Sequence, residues 1–439
     1  MQITAGNVWL MVSAALVLLM TPGLAVFYGG MTRAKAALNM MMMSFVSAGI
    51  VGVVWVLWGY SMTTGEGIGG LFGNPFANFG LEGIAGTTDL IKAGFSATFA
   101  MVTVALISGA IADRAKFTSW VIFVPVWVTV VYCPLAYMVW GGGLMSHGGA
   151  ISAVFGQVID FAGGTVVEIS AGVAALVLAL ILGKRHGFGS DSSQRPHNIP
   201  LVMLGAGILW FGWFGFNGGA AATGEQAGLI LMNTMAAPAA AMIGWLVTEK
   251  VCGGHPTSLG AASGVIAGLV AITPACANVS PVGALGLGLV AGVVAALAVG
   301  LKFKLGFDDS LDVVGVHLVA GLVGTLALGF IAVPVNGHGG GLFYGGGFGQ
   351  LIAQLVAVLV TIAVSGLATA VIGLAIHRYF GFRVSHEDEV AGVDVSEHAE
   401  TAYEFEGLSQ SKFNPFGTQV RVHAPVHQTA ADEAAVPTP

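Results

Sequence analysis

The fold of this chain follows from two short stretches that resemble each other, Asp160-Phe-Ala-Gly-Gly-Thr-Val-Val-Glu168-Ile-Ser-Ala-Gly172 and Asp312-Val-Val-Gly-Val-His317-Leu-Val-Ala-Gly321. Both contain Val, an ionisable residue, two further residues and Ala-Gly. The ionisable residue is Glu168 in the first stretch and His317 in the second. Each lies in an apolar run, where a titratable side chain is costly and usually faces a partner or a polar cavity. Matching positions in two halves of a chain predict one shared site at a repeat interface.

The composition predicts a polytopic membrane protein. Apolar residues make up 56% of the chain and charged residues only 8%, and the mean hydropathy is +0.86. A soluble core of this size does not need so much apolar surface. The 67 glycines are typical of helices that pack closely through small residues. The net charge of −7 comes largely from the carboxy-terminal tail and says little about the membrane part.

Sequence motifs of soluble enzymes and pumps are missing from the chain. It has no Walker loop, nucleotide fingerprint, zinc-ligand spacing or nucleophile elbow. Cys133, Cys252 and Cys276 share no metal or redox spacing, so we expect free thiols. The sequence therefore predicts no enzyme activity, no cofactor, no metal and no nucleic-acid partner.

Apolar runs of about 20 residues, enough to cross a bilayer, predict eleven transmembrane helices. The amino terminus has no basic segment and no cleavage site before the first run, so we expect that run to remain as a helix. The runs lie near residues 7–28, 37–60, 93–112, 118–139, 161–182, 199–216, 226–248, 258–275, 281–300, 312–332 and 350–376.

Basic residues fall in alternate loops or just after the last helix, and the opposite loops contain a single one, Lys92. The positive-inside rule makes the basic side cytoplasmic, so the amino terminus is predicted outside and the carboxy terminus inside. The basic residues on that side are Arg33, Lys35, Arg114, Lys116, Lys184, Arg185, Arg195, Lys250, Lys302, Lys304, Arg378 and Arg383.

The helix count divides into five plus five plus one. Glu168 then enters from outside in the fifth helix and His317 from inside in the tenth, as an inverted repeat predicts. We expect a membrane domain over 1–380, with repeat halves at 7–182 and 199–332 and a bracing eleventh helix at 350–376. A cytoplasmic acidic segment follows at 381–407 and could pack against the inner face, and residues 408–439 read as a disordered tail.

Glu168 and His317 are the strongest candidates for a functional site. Such a pair titrates as a unit with a finely balanced proton position, which suits a proton relay or a donor and acceptor line for a small polar molecule. The alternative is that the two side chains only join two helices.

Aromatic residues near the outer or middle parts of helices form a second candidate group. They pack as core anchors in most proteins, but near an outer mouth their faces bind cations, and two stacked Phe rings would block a pore to ions and water. Asp160 and Asp312 begin the fifth and tenth helices and are predicted N-caps, whose charge also shapes the electrostatics for a cation. The aromatic candidates are Phe95, Phe99, Trp140, Trp213 and Phe216.

Six motifs together resemble those of the ammonium transporter family, which is related to the Rhesus proteins. The resemblance covers nearly the whole membrane portion. The motifs are Pro22-Gly-Leu-Ala-Val-Phe-Tyr-Gly-Gly30, Trp140-Gly-Gly-Gly143, Asp160-Phe-Ala-Gly-Gly-Thr165, Trp210-Phe-Gly-Trp-Phe-Gly-Phe-Asn217, Thr273-Pro-Ala-Cys276 and Asp312 through His317.

The resemblance implies a homotrimer with one narrow apolar pore in each subunit. Phe99 and Trp140 would recruit ammonium, Phe99 and Phe216 would form a gate, Asp160 would be a structural acid, and His317 would be half of a pore-lining pair. Trp213, Phe95 and Asp312 are weaker pore-lining candidates. The resemblance also implies a multi-pass protein of the bacterial cell membrane, in contact with lipid, and a PII-type signalling protein as cytoplasmic partner.

Two positions depart from the family pattern. Most members have histidine at the position of Glu168, and a carboxylate there resembles a minority variant of some fungal members. Many members have serine at the position of Ala220, where a hydroxyl would assist recruitment.

The predicted function is ammonium transport: ammonium is gathered outside, deprotonated, passed inward as ammonia and protonated again inside. The alternatives are an ammonium sensor and an electroneutral ammonia channel of the Rhesus type.

Overall fold

A computed structural model describes residues 3–190, 195–334 and 340–403. Helices dominate these residues, as the composition predicted. The strands found in them form one small hairpin, Gly67–Ile68 with Phe72–Gly73, in an outer loop. The predicted disordered tail over 408–439 lies outside the described residues. The three cysteines are free, as expected.

Eleven apolar helices of the described chain lie close to the predicted runs. They are α1 (Ala5–Met31), α2 (Ala37–Thr63), α3 (Asp89–Ile111), α4 (Phe117–Trp140), α5 (Gly164–Leu182), α6 (Ile199–Gly218), α7 (Gly224–Gly253), α8 (Ser258–Ile272), α9 (Pro281–Leu305), α10 (Val314–Ile331) and α11 (Gly349–Tyr379).

Ten of the eleven, counted over the described residues, are long and apolar enough to cross a membrane. The exception is α8, whose 15 residues cover about 22 Å at 1.5 Å per residue, less than the roughly 30 Å of a hydrocarbon core. It is shorter than the predicted run 258–275 because turns begin at Thr273, beside Pro274, which has no N–H to continue the helix.

Both helices that carry the ionisable pair begin with a π-helical stretch of six residues. In α5 the stretch is Gly164–Ile169 and contains Glu168, and in α10 it is Val314–Val319 and contains His317. Such stretches are rare and are frequent at functional sites. The same irregularity at matching positions supports the predicted repeat.

The glycines that end the two motifs lie where α5 and α10 cross. A Cβ atom on Gly172 would lie 2.6 Å from Cβ of Leu318, and one on Gly321 would lie 3.1 Å from Cβ of Glu168. Larger residues would push the helices apart. Close approach at these glycines therefore brings Glu168 and His317 together.

Asp160 caps the start of α5, as predicted. Its carboxylate accepts hydrogen bonds from the backbone N–H groups of Gly163 (2.8 Å), Gly164 (2.6 Å) and Thr165 (2.8 Å). The hydroxyl of Thr165 also donates to it. These bonds satisfy donors that a helix start otherwise leaves unpaired.

The prediction that Asp312 caps the start of α10 was wrong. Its backbone has a positive φ of 64°, and its Oδ1 lies 2.6 Å from Nζ of Lys302 instead of at the helix start. Asp309 is the cap, because its carboxylate accepts from the N–H groups of Val313 (3.1 Å) and Val314 (2.7 Å). Asp309 precedes His317 by the same interval as Asp160 precedes Glu168, so the repeat itself points to Asp309.

We call the face with the basic loops inner and the opposite face outer. On the inner face, Arg185 lies between two carboxylates, 2.8 Å from Asp113 and 2.9 Å from Asp308. Burial raises the pKa of the Asp308 carboxyl, but its bonds with Arg185 outweigh this and lower it overall. Burial raises the pKa of Asp309 to about 6, although Lys302 opposes the rise.

The acidic segment after α11 packs on the inner face through α12 (His386–Ala391) and α13 (Val393–His398). Asp394 accepts from the N–H groups of Leu38 (3.1 Å) and Asn39 (2.7 Å) at the start of α2. Glu397 accepts from the N–H of Phe117 (2.9 Å) at the start of α4. The segment thus caps two membrane helices.

Candidate functional site

A pocket of about 520 Å³ opens on the outer side of the bundle. Phe99 stands edge-on to Trp140 in it, with ring centroids 6.5 Å apart. Nε1 of Trp140 donates to the backbone oxygen of Asp160 at 2.8 Å, which orients the indole ring. Ala220 lies in the wall with only a methyl group. Aromatic faces of this kind attract cations.

Four of the five predicted aromatic residues, Phe95, Phe99, Trp140 and Phe216, line this pocket. Four more aromatic residues of the wall were not predicted from the sequence. Phe161 directly follows Asp160 in the quoted motif and could have been found there, whereas the other three lie outside the quoted motifs. The missed residues are Trp55, Tyr60, Tyr132 and Phe161.

Phe99 and Phe216 form the floor of the outer pocket. Their rings stack with centroids 4.1 Å apart and an interplanar angle of 19°, and both residues are buried. Phe95 packs against Phe99 at 4.9 Å, and Trp213 packs against Phe216 at 5.4 Å. The stack leaves no room for a hydrated ion in this conformation.

Behind the stack lies a small cavity of about 10 Å³. That is close to the roughly 10–15 Å³ that one water molecule needs. Phe216 lines the cavity as well as the outer pocket, so the two spaces are neighbours. Trp213 and Phe27 belong to its apolar wall.

Glu168 and His317 are the ionisable residues in the wall of this cavity. Nδ1 of His317 lies 2.7 Å from Oε2 of Glu168, so the two groups share a hydrogen bond. Both side chains are buried, and Oε1 of Glu168 has no protein hydrogen-bond partner. A buried pair with one shared bond can exchange a proton over a very short distance.

A third pocket, of about 420 Å³, opens on the inner side. Met31 lines it and lies one turn along α1 from Phe27 of the cavity wall. Asp312 and Lys302 lie in its wall as an ion pair. Asp312 is therefore placed at the inner pocket, away from the cavity of the pair.

A bundle of apolar helices that holds an aromatic outer pocket, a stack of two rings beneath it and a small cavity with one titratable pair is typical of a membrane transport protein. Residues 8–403 match the sequence model of the Ammonium Transporter Family. The chain belongs to this family.

Relatives and solved structures agree with this assignment. An ammonium transporter of Mycobacterium bovis is 51% identical, over 93% of this chain and 92% of its own length. The crystal structure of Candida albicans Mep2 is 32% identical and similar in fold, with a TM-score of 0.80 over 88% of this chain and 87% of its own. A structure named Sensor Amt Protein is 29% identical, with a TM-score of 0.82 over 90% and 99%.

The predicted function is confirmed at this level. The chain is an ammonium transporter, its substrate is ammonium, and it is a multi-pass protein of the cell membrane. Its family is one of transporters rather than of enzymes.

Proposed function

We propose that this transporter gathers ammonium in the outer pocket, deprotonates it, and conducts ammonia past the Phe99–Phe216 stack. The proton passes through Glu168 and His317 to the inner side. There it binds ammonia and forms ammonium again. The observation that carries the proposal is the 2.7 Å bond between these two buried side chains in the wall of the cavity.

Recruitment is supported by the aromatic wall of the outer pocket. A cation over the ring of Trp140 or Phe99 gains about 0.5–2 kcal/mol, depending on its hydration. Because Ala220 has no hydroxyl, the side chain at this position donates and accepts no hydrogen bond. Recruitment in this chain therefore depends on the rings.

Selectivity is supported by the apolar path behind the rings. An ion that leaves water for such a path loses its hydration at a cost of many kcal/mol. Potassium cannot avoid that cost, but ammonium can, because it can lose a proton and cross as neutral ammonia. The proton then needs its own route, which the pair provides.

The same proposal includes the arrangement of the chain in the membrane. The basic loops support an amino terminus outside and a carboxy terminus inside. The family resemblance supports a homotrimer with one pore in each subunit. It also supports a PII-type partner at the inner face.

Charge movement in proteoliposomes tests the proposal. An ammonium pulse on the wild-type chain should produce a transient inward current, and a potassium pulse of equal concentration should produce none. Uptake of ammonium without current would contradict the relay and favour an electroneutral channel of the Rhesus type. Binding of ammonium without uptake would favour a sensor.

A further inference from the structure

Gln354 of α11 is completely buried and contacts α10 and the segment that leads into α5. Its Oε1 accepts from the N–H of Ile159 at 2.8 Å. Its Nε2 donates to the backbone oxygen of Ile159 at 2.8 Å and to that of Thr325 in α10 at 3.2 Å. Ile159 directly precedes the capping residue of α5.

The orientation of this amide is fixed by its partners. Ile159 offers one donor and one acceptor to the same side chain, so a flipped amide would place donor against donor and acceptor against acceptor. Nε2 of Gln350 also donates to Oε1 of Gln354, at 3.1 Å. Both donors and both acceptor positions of Gln354 are therefore used, which makes its position well determined.

We propose that Gln354 is a positioning residue that sets the alignment of α5 and α10, and through it the contact between Glu168 and His317. Ile159 directly precedes Asp160, which caps the start of α5, the helix that contains Glu168. Thr325 lies two turns after His317 on α10. The amide thus joins the segment before α5 to the outer half of α10, while Gly172 and Gly321 let the two helices cross near the pair.

Replacing the amide would remove the hydrogen bonds that connect α11 to Ile159 and to Thr325. In Gln354→Met, a side chain of similar length leaves the N–H and C=O of Ile159 and the C=O of Thr325 without this partner. Buried backbone groups without partners are costly, so the local backbone moves to find others. A small shift there changes the distance between the two pore side chains, because their helices are rigid.

Ser365→Ala is the matched control. Ser365 also lies on α11, is completely buried, and donates to the backbone oxygen of Ser170 in α5 at 2.7 Å. Its loss removes one contact between α11 and α5 but leaves Ile159 and Thr325 untouched. It therefore reports what a general loosening of α11 does.

The transport readout of the test rests on the proposed function. A second readout, the carboxyl band of Glu168, does not. The full-length chain in proteoliposomes is compared as wild type, Gln354→Met, Gln354→Glu and Ser365→Ala. Uptake gives the maximal rate and the apparent affinity for ammonium. Infrared difference spectroscopy gives the carboxyl band of Glu168, assigned by its loss in Glu168→Gln.

We expect Gln354→Met to reduce the maximal rate at least fivefold, with less than a twofold change in apparent affinity, and to shift the carboxyl band. Gln354→Glu, which can donate at most one hydrogen bond, should have an intermediate effect and serves if the Met variant does not assemble. Ser365→Ala should behave as the wild type.

An unshifted carboxyl band in the Gln354 variants would overturn the proposal, and so would equal effects of Ser365→Ala. A shifted band with an unchanged maximal rate would support the positioning role but contradict the relay, so the two failures are distinguishable.

Discussion

The starts of α5 and α10 are equivalent in the repeat but are held in different ways. The start of α5 is held by one carboxylate that accepts several backbone bonds and by the neutral amide of Gln354. The start of α10 lies among buried charges, with Asp309 next to Asp308 and its partner Arg185. The comparison shows that the two repeats share the π-helical stretch, while the side chains that hold the start of each helix differ.

This difference predicts different sensitivities at the two ends of the pore. The outer end should respond to loss of hydrogen bonds, and the inner end to loss of charge and to pH. The pair itself also differs between the two repeats, because Glu168 on α5 is an acid and His317 on α10 is a base.

The largest effect is expected for Arg185→Leu. The change leaves the carboxylates of Asp113 and Asp308 buried without their main partner, which costs about 3–5 kcal/mol. Thermal unfolding in mild detergent measures it, with Lys92→Leu as the control, because Lys92 pairs with Asp89 at an exposed site where an ion pair contributes little. A decrease in the free energy of unfolding below about 1 kcal/mol for Arg185→Leu would show that the start of α10 does not depend on this charge.

The pH dependence of stability should differ between wild type and Asp309→Asn. The pKa of Asp309 is raised from 3.8 to about 6 in the folded state, so folding disfavours its ionised form. Its contribution is therefore greatest below about pH 4 and decreases as the pH rises to about 6. At about 1.4 kcal/mol per pKa unit, the wild type should lose at most about 3 kcal/mol relative to Asp309→Asn over this window.

Chemical unfolding of both proteins at pH 4, 5, 6 and 7 measures this difference. Parallel curves would mean that Asp309 does not titrate in this range.

Removing the two caps should have unequal effects. Asp160→Ala leaves three short backbone bonds and one hydroxyl bond unmade, whereas Asp309→Ala leaves two backbone bonds unmade. We expect Asp160→Ala to be less stable than Asp309→Ala by about 1–2 kcal/mol. Thermal unfolding of the two variants side by side measures the order, and the reverse order would contradict the account of the α5 start.

The smallest effect in energy is expected for Trp140→Leu, which removes a ring tied to the α5 start. Loss of about 0.5–2 kcal/mol of cation–π attraction should weaken the apparent affinity for ammonium about 2–30-fold, with little change in maximal rate. Trp58→Leu is the control, because Trp58 is half-buried and donates to Thr129 but does not line the outer pocket. Unchanged affinity in Trp140→Leu would make the ring a packing anchor.

Much of the fold and of the site could be predicted from the sequence because bilayer length and side-chain chemistry limit the choices. Apolar runs located the helices, and two titratable residues in such runs located the pair. Phe99, Trp140 and Phe216 could be predicted from their places in the outer or middle parts of helices and from the family resemblance.

The rest depends on contacts between distant parts of the chain. Asp312 opens the visible motif, whereas Asp309 lies before it and is indicated only by its spacing to His317, which matches that of Asp160 to Glu168. Gln354 contacts Ile159 from a helix outside the repeat, and no local pattern indicates that pairing. The orientation in the membrane and the trimer remain predictions.

The relay through Glu168 and His317 is the central claim, and the charge moved by Glu168→Gln tests it most directly. Glutamine keeps the size and the hydrogen bonding of the side chain but cannot titrate. We expect ammonium pulses on proteoliposomes of Glu168→Gln to move at least tenfold less charge than the wild type. We expect Glu168→His, which recreates a pair of titratable groups, to restore charge movement with a shifted pH profile. Full, ammonium-selective charge movement by Glu168→Gln would contradict the relay and leave the pair as a structural contact between two helices.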